Sequence, residues 1–361
     1  MPQVRQIGAL DATGHGLVLT QPMPPLRRGA VRVEVHASLI SPGTEFIGVA
    51  KMRQSPRAEP RAPRPFGYQN AGVVLECGPG VEEFKPGDRV ACMGGGYAQH
   101  ANFAVVPINL CARLPDNVSF EEGAFAHLAM TAVNAIRRGE PEIGEYLVVA
   151  GLGLVGQLCA RIGQLAGMYV MGWDKFPFRC EIARRWGIDA AMVIGSQDET
   201  RAAAEFTRGS GFDMAVLAFG GDGTQALQSV TKVMKLSPDT HVMGRICLVG
   251  AMNTVCSWGA GLGNLDLRSC ARTGPGYHDE PWEHGKVAYP RVFMRWTTRS
   301  NMEYVLRLIS EGKLNVKALV SHRFPLSRIG EAVDAHLDAP NATLGTLLIM
   351  EHGGKARGKR R

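Results

Sequence analysis

The sequence predicts an α/β protein with two domains, a β-rich N-terminal domain and a doubly wound parallel sheet covered by helices. Its 361 residues exceed what one ordinary hydrophobic core holds. Short apolar segments with period two, separated by Gly and Pro, occupy about the first 120 residues, and apolar strands alternate with helices after that.

The N-terminal elements show the alternation of half-buried strands. Val31-Arg-Val-Glu-Val-His-Ala alternates with period two, and Asn70-Ala-Gly-Val-Val-Leu-Glu-Cys continues the pattern. The turns Gly78-Pro-Gly and Phe84-Lys-Pro-Gly-Asp are typical of the short, closely connected strands of a barrel.

The pattern then changes to that of a parallel sheet. A helix is predicted over residues 120–136, with Ser119 as its N-cap and Glu122 completing a capping box. The strands predicted after it are 146–150, 169–173, 190–194, 213–219, 244–250 and 344–350, and the helices are 157–166, 177–186, 223–234, 301–309 and 329–337.

The first of these strands breaks into Gly151-Leu-Gly-Leu-Val-Gly156, a Gly-x-Gly-x-x-Gly loop between a strand and a helix. Gly151 suits the tight turn, Gly153 allows a pyrophosphate to approach the backbone, and Gly156 allows the helix to pack on the strand. Leu154 and Val155 lie in the same loop. The free N–H groups at the helix start attract an anion, so the loop predicts a dinucleotide site.

The second strand ends at Asp174, 21 residues after Gly153, which is the usual distance to the acid that binds the ribose. A carboxylate there accepts both ribose hydroxyls of NAD and repels the extra phosphate of NADP. Lys175 and Arg179 lie nearby and offer an alternative, because their charge could accommodate that phosphate. We expect NAD, with NADP less favoured.

Composition excludes several classes of partner. The net charge is +7, but residues 355–361 carry five of the positive charges, so a nucleic-acid partner is not expected. Residues 351–361 read as a basic, disordered tail. No stretch of ~20 apolar residues and no signal-peptide core is present, and the eight cysteines form no Cys-x-x-Cys pair. We expect a cytoplasmic protein with reduced thiols and no membrane partner.

Taken together, the chain resembles the medium-chain dehydrogenase/reductase family. The motifs that carry the resemblance are Gly43-Thr-Glu, Gly67-Tyr-Gln-Asn-Ala-Gly, Val81-Glu-Glu-Phe-Lys-Pro-Gly-Asp-Arg-Val, the Gly151–Gly156 loop and Ser321-His-Arg-Phe-Pro-Leu. The resemblance implies a GroES-like barrel for the substrate over residues 1–122, completed by residues 296–350. It also implies a Rossmann domain over residues 123–295, and a homodimer or homotetramer.

Many members of that family hold a catalytic zinc, and this chain departs from their ligand pattern. The matching positions are Pro42, Tyr68, Gln69 and His127, and the cluster of four cysteines that binds a structural zinc is absent. A catalytic zinc needs three protein ligands of the His, Cys or carboxylate type. His127, with Glu45 at most, does not make such a set, so we expect no metal cofactor.

Without zinc, another group must handle the substrate's hydroxyl proton. Tyr68 and His127 occupy ligand positions, and the usual pKa of histidine suits proton transfer near neutrality. Glu45 could orient either one, Thr44 could contact the nicotinamide or relay a proton, and Gln69 could bind substrate. A purely structural role is an equal alternative for each: Tyr68 as a core aromatic that fills the vacant metal pocket, and His127 as a hydrogen-bonded histidine packed within a helix.

Ser38-Leu-Ile-Ser-Pro-Gly-Thr-Glu and Thr273-Gly-Pro-Gly are similar to a sub-group found in sugar and cyclitol pathways. The resemblance therefore implies an NAD(P)-dependent dehydrogenase that interconverts a secondary alcohol and a ketone of a small polyhydroxylated substrate. Two alternatives stay open. One is an NADPH-dependent quinone or enoyl reductase acting on a C=C bond, and the other is a non-catalytic nucleotide sensor.

Overall fold

A computed structural model of the chain describes residues 3–54 and 61–352. The predicted basic tail lies outside the described residues except for positions 351 and 352. The strands are β1 (Val4–Leu10), β2 (Gly16–Pro22), β3 (Ala30–Leu39), β4 (Arg64–Pro65), β5 (Gln69–Cys77), β6 (Arg89–Met93), β7 (Phe103–Pro107), β8 (Cys111–Arg113), β9 (Tyr146–Ala150), β10 (Tyr169–Asp174), β11 (Ala190–Val193), β12 (Met214–Ala218), β13 (Gly221–Asp222), β14 (Met243–Val249), β15 (Met252–Asn253), β16 (Asn264–Ser269), β17 (Val320–Pro325) and β18 (Gly345–Ile349).

Most of the helices follow the N-terminal strands β1 to β8. They are α1 (Pro42–Glu45), α2 (Val49–Gln54), α3 (Phe120–Gly123), α4 (Ala126–Gly139), α5 (Leu154–Leu165), α6 (Pro177–Arg185), α7 (Glu199–Phe206), α8 (Thr224–Thr231), α9 (Glu280–Glu283), α10 (Thr298–Ser310) and α11 (Ile329–Asp338). None of the helices in the described ranges is both long and apolar enough to cross a membrane.

Six parallel strands form the predicted doubly wound sheet, in the order β11-β10-β9-β12-β14-β16. The strand order reverses between β9 and β12, and ligands of such sheets bind at the carboxyl ends of the strands near that point. The α/β fold class is therefore confirmed. The helix after β9 begins at Leu154, three residues earlier than predicted, so the last glycine of the loop lies inside α5.

A second sheet combines N-terminal strands with the last two strands, in the order β17-β18-β3-β5-β6-β8 and with β7 also paired to β3, while β1, β2 and β4 form a separate three-stranded sheet. The last strand of the chain joins this sheet, because β18 pairs antiparallel with β3 and Leu348 lies opposite Ser38. The C-terminal segment thus completes the N-terminal unit. The boundaries at residues 122 and 296 stay a prediction.

The single helix predicted over residues 120–136 is wrong in one respect, because the structure divides it into α3 and α4. The capping box of Ser119 and Glu122 is present at its start. Phe125 N–H then donates to the Glu122 carbonyl, three residues back, which is a tighter turn than that of an α-helix. This turn places the Phe125 side chain fully inside the core.

Candidate active site

A cavity of about 920 Å³ lies at the carboxyl ends of the parallel strands, facing the α1 turn of the N-terminal unit. It brings together most of the residues that the sequence singled out. From the parallel-sheet side it is lined by Gly151, Gly153, Leu154, Val155, Asp174, Lys175 and Arg179, and from the opposite side by Ser41, Pro42, Thr44, Tyr68, His127 and Tyr277.

The three glycines of the β9–α5 loop have different environments. Gly151 has a φ of 93°, which a residue with a side chain rarely adopts. A Cβ added at Gly153 would meet no atom within 4 Å, whereas one at Gly156 would collide with the Gly151 carbonyl oxygen. The α5 N-terminus has no side-chain cap, so its first N–H groups are free for an anion at the cavity. These features fit the pyrophosphate of a dinucleotide.

Asp174 is buried at the end of β10 and lines the cavity. Leu152 N–H donates to its Oδ2 at 2.7 Å, and Phe176 N–H donates to its Oδ1 at 2.8 Å. These bonds fix the carboxylate in place, and each oxygen keeps a further lone pair for a ligand hydroxyl. Arg179 Nη1 lies 3.6 Å from Oδ2, and Lys175 is exposed at the cavity edge.

Tyr68 presents its phenol to the opposite side of the cavity. The hydroxyl-bearing side chains of Ser41 and Thr44 line the cavity with Tyr68, and they act to lower the pKa of its phenol. Burial, and next the Glu45 carboxylate, raise the pKa of Tyr68 well above its usual value, and these effects outweigh the two hydroxyls. The phenol therefore keeps its proton at neutral pH and acts as a hydrogen-bond donor.

His127 lies beside Tyr68, with 4.5 Å between their ring centroids, and the Tyr277 ring is 5.9 Å away on another side. Burial lowers the pKa of His127 to about 3, and a hydrogen bond to the Tyr68 backbone only partly opposes this. Its Nδ1 has no hydrogen-bond partner among the described residues. The imidazole is thus neutral at physiological pH, and the near-neutral titration suggested by the residue type is not expected of His127.

Glu45 lies behind the cavity rather than on its surface. Its Oε2 is 3.1 Å from His100 Nε2 and also accepts the Ser41 N–H at 3.1 Å, while the other ring nitrogen of His100 is 2.7 Å from Ser38 Oγ. This buried network holds the carboxylate close to Tyr68. No motif had indicated His100, because it reaches Glu45 from 55 residues away in the sequence.

Gln69 is placed differently from the expectation that it binds substrate. It is fully buried and does not line the cavity. Its Nε2 donates to the Leu39 carbonyl at 3.1 Å, and its Oε1 accepts the Leu128 N–H at 3.3 Å. Both ends of the amide are thus occupied by backbone groups, which favours a structural role for Gln69 over the predicted one.

The side chains at the zinc-ligand positions of the family that the sequence resembles do not fit a zinc ion. Pro42, Tyr68 and His127 line the cavity, and only the last is of a usual ligand type. Throughout residues 3–54 and 61–352, one group of three His, Cys, Asp or Glu side chains has its ligand atoms within 4.8 Å of one another. That group is Glu34, His36 and His352, and none of the three lines the cavity.

Comparison with known proteins agrees with this architecture. Residues 27–137 match the family model of the alcohol dehydrogenase GroES-like domain. The chain is 26% identical over 304 residues to sorbitol dehydrogenase of Mus musculus, which covers 76% of this chain and 77% of that protein. It is also 26% identical over 318 residues to L-idonate 5-dehydrogenase of Vitis vinifera, with 78% of each chain covered.

Solved structures share the fold across almost the whole chain. Galactitol-1-phosphate dehydrogenase from Escherichia coli superimposes with a TM-score of 0.76 at 17% identity, covering 95% of this chain and 99% of that one. 2R,3R-butanediol dehydrogenase from Bacillus subtilis superimposes with a TM-score of 0.72 at 19% identity, covering 96% and 99%.

Proposed function

Because the chain belongs to the medium-chain dehydrogenase/reductase family and is an oxidoreductase that uses a nicotinamide cofactor, we propose that it interconverts a secondary alcohol and a ketone. We propose further that its substrate is polyhydroxylated, that its cofactor is NAD, and that it works without a catalytic zinc. The observation that carries this proposal is the cavity in which the glycine loop and Asp174 face Tyr68 and His127.

The residues on the parallel-sheet side fit the cofactor. Gly153 and the free N–H groups of α5 would hold the pyrophosphate, and Asp174 would accept hydrogen bonds from the adenosine ribose. Arg179 is drawn toward Asp174 and so supports the carboxylate rather than an extra phosphate, which favours NAD over NADP. When bound, the nicotinamide accepts hydride in the oxidation and gives it back in the reduction.

The residues on the opposite side would handle the proton. In the reduction, the phenol of Tyr68 donates its proton to the oxygen of the ketone as the alcohol forms. The hydroxyls of Ser41 and Thr44, which line the cavity with Tyr68, can relay a proton from solvent back to the phenolate, each taking up one proton as it releases another. Because burial raises the pKa of Tyr68, the phenol carries its proton at neutral pH, as a donor must. His127 packs against the phenol and fixes its position.

A polyhydroxylated substrate is supported by two independent points. Relatives that cover about three quarters of the chain carry the names sorbitol dehydrogenase and L-idonate 5-dehydrogenase. The cavity also presents several side chains that can bond hydroxyl groups, among them Ser41, Thr44, Thr131, Arg272 and Tyr277.

The experiment is a turnover assay of the purified chain in both directions. Oxidation of polyols and sugar acids is measured with NAD and with NADP, and reduction of the matching ketones is measured with the two reduced cofactors. We expect NAD-linked oxidation of at least one polyol. Reduction of quinones or enones alone would identify the C=C reductase instead. Cofactor binding without turnover on any member of either panel would identify the nucleotide sensor.

We also propose that the protein is a homodimer or homotetramer. Val292 and Phe293 are 89% and 86% exposed, which is unusual for large apolar side chains, and β16 is an edge strand of the parallel sheet. Sedimentation velocity on the full chain tests this. A monomer at micromolar concentration would contradict it.

A further inference from the structure

A second cluster of ligand-type side chains lies on the N-terminal sheet, away from the cavity. Glu34 and His36 are two residues apart on β3 and therefore project from the same face of that strand. His352 follows the last strand, β18, which pairs with β3 so that Met350 N–H donates to the His36 carbonyl at 3.0 Å. The pairing of the two strands thus assembles three ligand-type residues from distant parts of the chain.

The distances within the cluster are those between ligands of one ion rather than those of hydrogen bonds. His36 Nε2 lies 3.6 Å from Glu34 Oε2, and His352 Nδ1 lies 3.7 Å from Glu34 Oε1. Two ligand atoms bound tetrahedrally at ~2.1 Å from a zinc ion are about 3.4 Å apart. A small adjustment of side-chain torsions would therefore bring all three residues onto one ion.

One ring nitrogen of each imidazole lies near the carboxylate without a hydrogen bond to it. His352 Nε2 donates to the Val35 carbonyl at 2.7 Å, so the lone pair of the neutral ring is on Nδ1, toward Glu34. This backbone partner also fixes the ring in the way typical of metal-binding histidines. His36 Nε2 is shielded from solvent and has no hydrogen-bond partner among the described residues. A cation between these atoms would satisfy all three.

The surroundings hold the histidine rings in place without supplying that cation. The His36 ring stacks on Phe120 with 4.4 Å between centroids, and Phe103 lies against His352 at 5.9 Å. Arg89 lies over the Phe120 ring, with its guanidinium carbon 4.8 Å from the centroid, and that guanidinium donates to the carbonyls of residues 115, 116 and 118. Its hydrogen bonds are thus made to the backbone and not to the carboxylate of Glu34.

We propose that Glu34, His36 and His352 bind one divalent transition-metal ion, with zinc as the preferred ion. Two imidazoles and one carboxylate are a known zinc ligand set, whereas calcium and magnesium prefer oxygen ligands alone. Three protein ligands leave a fourth position for water. The ion would tie residue 352 to the N-terminal sheet and would be separate from the substrate cavity, which none of the three residues lines.

The test is calorimetric titration of Zn²⁺ into tag-free, chelator-treated full-length protein. We expect one site per chain, an affinity at least tenfold weaker in His352→Ala and in Glu34→Gln, and unchanged binding in the control His241→Ala. His241 pairs with a single carboxylate, Asp239, on the surface and so lacks the third ligand. Circular dichroism verifies that each variant is folded.

Thermal unfolding gives a second readout. Zinc should raise the melting temperature of the wild type and of His241→Ala but not of His352→Ala, because binding to the folded state alone stabilises it. Equal zinc binding by the wild type and by both cluster variants, or no binding to the wild type at 100 μM Zn²⁺, would overturn the proposal. Neither result bears on the proposed function, since turnover is not measured here.

Discussion

Tyr68 is the residue on which the proposed chemistry depends most. It lines the cavity together with Ser41 and Thr44, and its ring packs against His127. Behind it, Glu45 is held by His100 and contributes to the high pKa of the phenol. The Tyr68 phenol, the His127 imidazole and the Asp174 carboxylate can therefore be tested separately.

Tyr68→Phe removes the proton donor and keeps the ring. We expect kcat to fall at least about a hundredfold, within the 10²–10⁴ range typical of a positioned acid or base, with unchanged NAD affinity. Steady-state kinetics and cofactor titration measure the two quantities. Tyr169→Phe, at an exposed position of β10, is the matched control and should behave as wild type. A near-native kcat in Tyr68→Phe would show that another group donates the proton.

The pH dependence of the rate tests the state of His127. Burial lowers the pKa of this histidine to about 3, so the ring is deprotonated at every pH between 5 and 9. We therefore expect the same shape of the kcat profile over this range in the wild type and in His127→Asn, whatever the absolute rates. An inflection near neutrality that is present in the wild type and lost in the variant would show that His127 titrates during turnover.

Asp174→Asn keeps one carbonyl oxygen for the backbone and removes the charge. We expect NAD binding to weaken by about 1–3 kcal/mol, roughly fivefold to 150-fold, and the discrimination against NADP to shrink. Fluorescence titration with both reduced cofactors measures this. Lys175→Ala is the control, and it should not weaken NAD binding. If the wild type binds NADP more tightly than NAD, Lys175 and Arg179 determine the cofactor preference instead of Asp174.

At the scale of elements, two glycines of the β9–α5 loop have different roles: Gly156 is needed for stability and Gly153 for cofactor binding. In Gly156→Ala the new Cβ collides with the Gly151 carbonyl oxygen, so we expect a loss of about 1–3 kcal/mol in the free energy of unfolding. In Gly153→Ala the new Cβ meets no protein atom and points into open space, so stability should hold while NAD binding weakens. Urea unfolding and cofactor titration on both variants measure the contrast. Equal effects of the two variants on both quantities would contradict it.

The sequence predicted well those helices, strands and loops that depend on residues close together in the chain. The period of the apolar residues indicated β3, β5 and the strands of the parallel sheet, and the glycine spacing indicated the loop before α5. The division between α3 and α4 was missed because it depends on distant packing. Gly123 at that point packs closely against Leu114 and Ala71, since an added Cβ would lie 2.7 Å from a Leu114 methyl and 3.1 Å from the Ala71 Cβ.

The same limit applies to the candidate site. The cofactor residues follow one another within about 30 positions, so a motif could indicate them. The role of Gln69 depends on backbone groups of residues 39 and 128, and that of His100 on residues 38 and 45. Contacts between such separated positions leave no periodic or spacing signal in one sequence.

For the whole molecule, the return of the C-terminal segment to the N-terminal sheet has two consequences. It completes the unit that carries Tyr68, and it creates the cluster of Glu34, His36 and His352 on the same sheet. Zinc bound to the purified protein would therefore not by itself indicate a catalytic metal. The metal content of the cavity must be judged in a variant that lacks the surface cluster.

The most direct test of the account is turnover by metal-free protein. Tag-free His352→Ala, treated with a chelator and containing well under one zinc per chain, is assayed with NAD and the polyol that the substrate panel identifies. Because only His127 among the family's zinc-ligand positions is of a usual ligand type, and none of the cavity-lining residues belongs to the described group of three close ligand-type side chains, we expect the rate of this protein to equal that of the untreated enzyme. Loss of turnover on chelation, with recovery when one equivalent of zinc is restored, would contradict the zinc-independent mechanism.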